Sequence, residues 1–188
     1  MKRRILALVF VLVMMVTLMA GCGNSANNNN DNDGAETYTF KLSCPDTEGG
    51  LTYLVATEFA NKVSELTDGK VTIEIYGGSS LGTTTEVLEG MSAGVADVLV
   101  ESVGTLAPFT ELANIDAMPY IYSGYDHFNS VWSSELGDEI RTAVGEASNF
   151  KLMGTCYRGA RVVTATYEMK TIEDFKGFKL RAPGLDMY

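Results

Sequence analysis

Two arginines near the end of the chain have the side-chain chemistry best suited to binding a small acid. Arg161 stands in Tyr157-Arg-Gly-Ala-Arg-Val-Val-Thr164, and Arg181 stands in Phe178-Lys-Leu-Arg-Ala-Pro183. A guanidinium is planar, always charged and able to donate two parallel hydrogen bonds, so it matches a carboxylate better than a lysine ammonium does. The pair predicts a carboxylate clamp, provided that the fold brings both side chains to one ligand.

The chain as a whole is acidic, so any attraction for an anion must be local. Its formal net charge is −10 at pH 7, and loss of Lys2, Arg3 and Arg4 with an N-terminal leader makes it three units more negative. Nucleic acid and anionic lipid headgroups are therefore disfavoured as partners. An anionic solute would have to be attracted by the arginines within residues 158–181.

The N-terminus has the pattern of an exported lipoprotein. Three cations precede an apolar run from Ile5 to Ala20, which is shorter than the roughly 20 residues that a helix needs to cross the ~30 Å hydrocarbon core. The run ends in Leu18-Met-Ala-Gly-Cys22, which resembles a bacterial lipobox, with Met19 where such boxes usually have leucine. We predict a signal peptide over residues 1–21 and a diacylglycerol and palmitate modification at Cys22. An uncleaved membrane anchor is the alternative.

Residues 22–36 are rich in Asn, Asp, Ser and Gly, including four consecutive asparagines from Asn27 to Asn30. This composition has nothing apolar enough to bury, so it predicts a flexible tether. The tether would hold a folded domain on the extracytoplasmic side of the cell membrane, in the periplasm or at the outer face.

Few residues support cofactor or metal chemistry. With Cys22 assigned to lipid, Cys44 and Cys156 remain, and they either form a disulfide or pack as small apolar side chains, the reading that we favour. His127 is the single histidine, and its place at the start of a helical pattern favours a solvated or capping role. We therefore expect no cofactor and no metal.

The folded part alternates strand and helix patterns. Period-two alternation predicts strands over 38–43 and 71–76, helical spacing of apolar residues predicts helices over 51–66 and 83–93, and residues 98–100 form a short buried strand. Helices are further predicted over 128–132 and 136–147. Strands are predicted over 151–156, 162–166 and 178–182, and Thr171 to Asp174 has the spacing of a capping box. This order predicts an open α/β sheet whose ligand site lies at the carboxyl ends of its strands, near Glu101, Arg161 and the loop 44–50.

From Tyr38 to Pro183 the sequence resembles the solute-binding subunits of TRAP transporters, the DctP-like family. The resemblance covers nearly the whole folded part, and its motifs are weak singly but specific in this order. They are Phe59-Ala-Asn-Lys-Val63, Thr67-Asp-Gly-Lys-Val71, Ser80-Leu-Gly82 with Glu86, Gly94 to Asp97, Met118-Pro-Tyr120, Gly159-Ala-Arg161 and Asp174-Phe-Lys-Gly-Phe-Lys-Leu-Arg-Ala-Pro183.

The resemblance implies roles for three residues. Arg181 would form the main salt bridge to the solute carboxylate, Arg161 would assist it, and Glu101 would orient solute hydroxyls or bound water. Each has a simpler alternative: Arg181 as a surface arginine, Arg161 paired with Glu168 or Glu173, and Glu101 as a solvated strand end. Arg158 is expected to be solvated, and Asp97, Gly82 and Pro119 are expected to be turn and packing residues.

The resemblance also implies a fold and partners. The fold is the two-lobe, type II periplasmic-binding-protein fold, with a first lobe over 37–157 and a crossover and start of the second lobe over 158–188. The lobes would close over a small organic acid and present it to a small and a large membrane permease subunit, with uptake driven by a sodium gradient. No enzymatic step is implied.

Chain length departs from the family pattern. Family members continue past the position of Tyr188 for roughly another hundred residues, which is about the size of a further domain. We therefore expect weak or no solute binding from residues 37–188 alone. Two rival functions stay open: a lipid-anchored domain that presents the solute to a signalling receptor, and an extracytoplasmic enzyme, which the lack of an obvious acid–base pair disfavours.

Overall fold

A computed structural model of the protein describes residues 36–182. The predicted leader over 1–21, the lipid site Cys22 and the tether up to residue 35 lie outside the described residues. Within the described part, no helix combines the length and the apolar character that a membrane crossing requires.

The first three strands form a parallel sheet in the order β2-β1-β3. They are β1 (Tyr38–Ser43), β2 (Val71–Tyr76) and β3 (Val98–Leu99). Tyr38 pairs with Val71 in one ladder and Leu42 with Val98 in the other. The predictions for β1 and β2 are confirmed to the residue, and that for β3 is confirmed with an end one residue earlier.

The side chain of Asp97 extends the short ladder between β1 and β3. Its carboxylate accepts the Lys41 N–H at 2.8 Å, and its own N–H donates to the Lys41 carbonyl at 2.9 Å. β3 has only two residues, so these two bonds add substantially to its attachment. Asp97 was expected to be a turn and packing residue. In the structure it has a specific structural role, since it forms two hydrogen bonds with the backbone of Lys41.

Helix α1 (Leu51–Leu66) covers the sheet on one side. Leu42 of β1, Cys44 and Ala56 of α1 are fully buried together, and apolar side chains of both strands and helix pack around them. The helix ends where Asp68 and Gly69 adopt positive φ angles of 50° and 73°, a left-handed turn that stops it as predicted.

Helix α2 (Thr84–Gly90) begins with a capping box. The N–H of Thr83 donates to the Glu86 carboxylate at 2.8 Å, and the N–H of Glu86 donates back to the Thr83 hydroxyl at 3.4 Å. The predicted span over 83–93 is confirmed, but its last turn, Met91–Ala93, is a 3₁₀ helix that ends at Gly94 with φ 80°. A second apolar cluster then joins α2 to the elements that follow.

The elements that follow are two 3₁₀ segments, Val103–Leu106 and Glu111–Ala117, and helices α3 (Tyr125–Trp132) and α4 (Glu135–Ser148). The 3₁₀ segments and α4 contribute residues to this second cluster. Val144 is buried with Leu88, Leu106 and Ala113. Both helices were predicted, although each begins earlier and α4 ends one residue later. The Nδ1 of His127 accepts the Ser123 N–H at 3.2 Å, a local contact between the first turn of α3 and the residue before its N-cap.

The prediction of three strands after α4 is wrong. Residues 151–156, 162–166 and 178–182 have no strand assignment, and most of them are exposed. An extended segment becomes a strand only when a neighbouring strand pairs its N–H and carbonyl groups, and the described ladders join β1, β2 and β3. The predicted capping box is confirmed, since Thr171 donates its N–H to Asp174 at 2.8 Å at the start of the 3₁₀ helix Ile172–Phe175.

Neither described cysteine forms a disulfide. Cys44 is buried in the first cluster, as the packing interpretation predicts, whereas Cys156 is exposed on the segment after α4, where that interpretation is wrong. The difference follows from position, because Cys44 directly follows the central strand and Cys156 lies in a segment without sheet neighbours.

Candidate functional site at the carboxyl edge of the sheet

The strand order defines the place where a ligand is expected. The chain passes from β1 to β2 on one side of the sheet and then to β3 on the other side of β1. In open α/β sheets this change of direction opens a crevice outside the carboxyl ends of the two strands, where ligands bind. Residues that follow β1 and β3 are therefore the first candidates for a binding site.

Asp46 follows β1 and is fixed by the start of α1. Its carboxylate accepts the Thr52 N–H at 2.8 Å, and its own N–H donates to the Thr52 hydroxyl at 3.2 Å. A Cβ on Gly50 would lie 2.5 Å from the Cβ of Asp46, so only glycine permits this close approach. These hydrogen bonds to Thr52, supported more weakly by the charge of Arg158, lower the pKa of Asp46 below its ordinary value.

Glu101 follows β3 by two residues and is mostly buried, with 15% of its side chain exposed. Burial is the main cause that raises the pKa of its carboxyl, and the negative charges of Asp46 and Asp116 raise it further. Arg158 and the Ser102 N–H act in the opposite direction. Its Oε2 is buried and has no hydrogen-bond partner. The alternative of a solvated strand end is therefore wrong, because the side chain turns into the protein.

Asp116 also lies near Glu101. Its carboxylate accepts a hydrogen bond from the Ser102 hydroxyl, which ties the 3₁₀ segment Glu111–Ala117 to the residue after Glu101. The negative charges of Asp46 and Asp116 thus both act on the buried carboxyl of Glu101 at the carboxyl edge of the sheet.

Arg158 supplies positive charge to this acidic edge. Its Nη1 lies 3.8 Å from the Glu101 Oε1, and 48% of its side chain is exposed. The preceding Tyr157 packs its ring against Tyr125 and Phe128 of α3, with centroid distances of 5.6 and 5.3 Å. Arg158 is therefore solvated over about half of its side chain, as expected, and in addition lies within ion-pair distance of Glu101. The sequence feature that could have indicated this position is the preceding aromatic residue, Tyr157. Its ring packs against α3 and so holds the backbone next to the half-exposed Arg158.

Arg161 and Arg181 lie on the same exposed segment. Both residues are exposed. The segment 157–182 on which they lie is irregular apart from the 3₁₀ turn Ile172–Phe175. The structure brings Arg158 to Glu101, and the joint clamp of Arg161 and Arg181 stays a prediction. Asp46 was part of a predicted loop but was not singled out, because its role depends on the backbone approach at Gly50.

Two surface concavities lie away from this edge. One, of about 540 Å³, runs along the outer face of α1 beside Leu54 and Phe59. The other, of about 360 Å³, lies among Val163, Tyr167 and Ile172. Their linings are mainly apolar, so neither has the cluster of donors that a carboxylate needs. Among residues 36–182 there is also no group of three or more metal-binding side chains.

An α/β domain with polar side chains gathered at the crevice between β1 and β3 is a ligand-binding domain by its architecture. The family model described as bacterial extracellular solute-binding protein, family 7 (DctP) matches residues 46–188. The chain belongs to this family, and the resemblance seen in its motifs is confirmed.

Curated relatives agree with this assignment. A solute-binding protein of Roseobacter denitrificans is 30% identical over 156 residues, which cover 82% of this chain and 47% of the relative. The sialic acid-binding periplasmic protein SiaP of Vibrio cholerae is 27% identical over 145 residues, covering 77% of this chain and 45% of SiaP. The chain thus spans about half the length of these relatives.

Solved structures define the fold class. A TRAP periplasmic solute-binding protein of Rhodobacter sphaeroides matches with a TM-score of 0.66 and 31% identity, over 79% of this chain and 48% of that chain. Another from Roseobacter denitrificans, with bound L-galactonate, matches with a TM-score of 0.54 and 30% identity, over 59% of this chain and 37% of that chain. The fold class is the two-lobe, type II periplasmic-binding-protein-like fold, as expected.

Proposed function

We propose that this protein is the extracytoplasmic solute-binding receptor of a TRAP-type secondary transporter and that it captures a small organic acid. The observation that carries the proposal is the family match over residues 46–188. The position of Glu101, Asp46 and Arg158 at the crevice of the sheet supports it, because ligands of such sheets bind there.

Arg181, Arg161 and Glu101 are the proposed solute contacts. Arg181 takes the carboxylate in a bidentate pair, Arg161 assists, and Glu101 faces the hydroxylated part of the solute. A charge-assisted hydrogen bond contributes roughly 1.5 to 3 kcal/mol, so two of them supply a large part of the ~8 kcal/mol of a micromolar complex. Closure of two lobes over the solute would exclude water and strengthen both pairs. No reaction step is part of this function, in keeping with relatives that are described as solute-binding proteins.

Two further parts of the proposal concern the cell. The lipid on Cys22 anchors the receptor at the extracytoplasmic face of the membrane, and the loaded receptor delivers its solute to a small and a large TRAP permease subunit. Labelling cells with a radioactive fatty acid tests the anchor: the wild-type protein takes up label and Cys22→Ala does not. Label on the variant would contradict the assignment.

The solute class is tested by binding. The protein is purified as its gene encodes it in full, because residues 37–188 alone are expected to bind weakly or not at all. It is screened by thermal unfolding against L-galactonate, D-glucuronate, N-acetylneuraminate, succinate and a 2-oxo acid, with a neutral sugar and an amine as controls. A ligand at about 100 times its dissociation constant adds roughly 2.7 kcal/mol of stability. We expect at least one acid to raise the midpoint and Arg181→Gln to abolish the shift. Shifts confined to the neutral sugar or the amine would contradict the proposal.

A further inference from the structure

Arg158 lies where a solute carboxylate would have to approach. It reaches Glu101 just after β3, at the crevice that the strand order opens. Tyr157, packed between Tyr125 and Phe128, holds the backbone of its neighbour against α3. The cation is therefore attached to the folded core on both sides, through an aromatic anchor and an ion pair.

The surroundings of Arg158 are acidic. Glu101 carries the nearest carboxylate, and Asp46 and Asp116 are near enough to Glu101 to affect its ionisation. Without a cation here, an incoming carboxylate would meet three like charges in a partly buried place, which is strongly unfavourable. A receptor that binds acids at the acidic carboxyl edge of this sheet therefore needs a positive group beside Glu101.

The guanidinium also has hydrogen-bonding capacity for a ligand. Its contact with Glu101 is 3.8 Å long, which is beyond the 2.7–3.2 Å of an N–H···O hydrogen bond, so this contact is Coulombic. A guanidinium has five N–H donors in a planar fork. About half of the Arg158 side chain is exposed, which leaves room for a solute to reach that fork.

We propose that Arg158 contacts the solute carboxylate directly, as a third arginine of the binding site, and that Glu101 is the positioning residue that holds it at the crevice. This inference rests on the proposed function. It places one end of the acid at the carboxyl edge of β3 and leaves Arg161 and Arg181 to enclose it from the segment that follows.

A purely compensating role for Arg158 makes a different prediction. If Arg158 only neutralised Glu101, replacing Arg158 would weaken binding in the wild-type protein but not in a Glu101→Gln background. If Arg158 donates hydrogen bonds to the solute, replacing it weakens binding in both backgrounds. The two roles therefore separate in a double variant.

The experiment titrates the full chain with the acid that gives the largest thermal shift among L-galactonate, D-glucuronate, N-acetylneuraminate and succinate. Protein-observed NMR up to tens of millimolar solute detects weak binding. The proteins compared are wild type, Arg158→Gln, Arg158→Lys, Glu101→Gln and the double variant Arg158→Gln/Glu101→Gln. Lys62→Gln removes an exposed cation whose partner is Glu65 on α1 and is the matched control.

We expect Arg158→Gln to weaken binding by about tenfold to a hundredfold, the loss of one charge-assisted contact. Arg158→Lys keeps the charge but not the fork, so its affinity falls between the two. The double variant binds about tenfold to a hundredfold more weakly than Glu101→Gln, and Lys62→Gln binds as the wild type does. Thermal unfolding without solute checks that each variant is folded. If Arg158→Gln does not fold, Arg158→Lys still tests whether the planar guanidinium is needed for binding.

Two results would overturn the inference while leaving the proposed function intact. They are wild-type affinity in Arg158→Gln, and equal affinities in Glu101→Gln and in the double variant. If no acid binds the wild-type chain, the proposed function fails and this inference fails with it.

Discussion

Residues 38–150 and residues 151–182 contain similar strand patterns, yet the two regions differ in what surrounds them. In the first region β1 lies between β2 and β3, and α1 covers its apolar side chains. In the second, extended segments lack sheet neighbours and many apolar side chains are exposed, including Met153, Val162, Val163, Tyr167, Ile172, Phe175 and Leu180. The comparison teaches that a strand pattern becomes a strand only where a second strand pairs with it.

The same difference divides the candidate site. Asp46, Glu101 and Asp116 belong to the first region and are held by hydrogen bonds or burial. The predicted carboxylate ligands Arg161 and Arg181 belong to the second. Arg158 belongs to both, because it lies in the second region and contacts Glu101 in the first.

Amide hydrogen exchange gives the largest contrast between the regions. Amides of β1 open only with much of the fold, whereas amides of residues 162–166 lack a sheet ladder. We expect protection along β1 to exceed that over 162–166 by about a thousandfold or more, measured by mass spectrometry or NMR. Comparable protection in the two segments would show that 162–166 pairs with a strand after all.

A substitution in each core tests the same contrast in stability. Leu42 is fully buried in the central strand, so Leu42→Ala should lower the free energy of unfolding by about 2 to 5 kcal/mol. Val163 is largely exposed, and Val163→Ala should change it by less than about 0.5 kcal/mol. Urea titration measures both. A loss at Val163 as large as at Leu42 would mean that the second region has a core of its own.

The buried Glu101 makes stability depend on pH. Its pKa is higher in the folded protein than in the unfolded chain, so its burial costs nothing below the ordinary glutamate pKa and destabilises the fold increasingly as pH rises through the folded pKa. Glu101→Gln should therefore make the protein more stable at pH 7, because the glutamine amide carries no charge to bury. The gain should vanish near pH 4.

The control for this prediction is Glu139→Gln, an exposed position on α4. It should change the free energy of unfolding by less than about 0.5 kcal/mol at either pH. Destabilisation by Glu101→Gln at pH 7 would mean that the attraction to Arg158 outweighs the burial of the carboxylate.

The two capping boxes give the smallest and most local comparison. Thr83→Ala should cost about 1 kcal/mol of global stability, because α2 packs its Leu88 into the second cluster. Thr171→Ala removes the same motif from a turn with no buried residues, so the global unfolding midpoint should not move. Thermal unfolding of both variants measures this. An equal loss at Thr171 would join residues 171–175 to the cooperative core.

Much of the first region, residues 38–150, was predictable from sequence because the interactions that determine its helices and strands involve residues close together in the chain. The alternation in β1 and β2, the apolar spacing of α1 and the stop at Asp68 and Gly69 each act within a few residues, and all are confirmed. The strands after α4 had equally clear patterns but depended on distant partners. Glu101 was placed correctly at a strand end, yet its burial and its contact with Arg158 depend on residues 57 positions apart. No local pattern encodes such a contact.

The bonds between Asp97 and Lys41 have a consequence beyond the sheet. β3 pairs with β1 through two residues only, too few to fix its own alignment firmly, and Asp97 adds a side-chain bond just before them. Because successive strand residues face opposite sides, a slip by one position would send Glu101 to the other face and away from Arg158. The face on which Glu101 lies thus depends on Asp97, four residues earlier in the chain. The Asp97 carboxylate does this without contacting the solute. A change at Asp97 would alter solute recognition without altering any group that performs it.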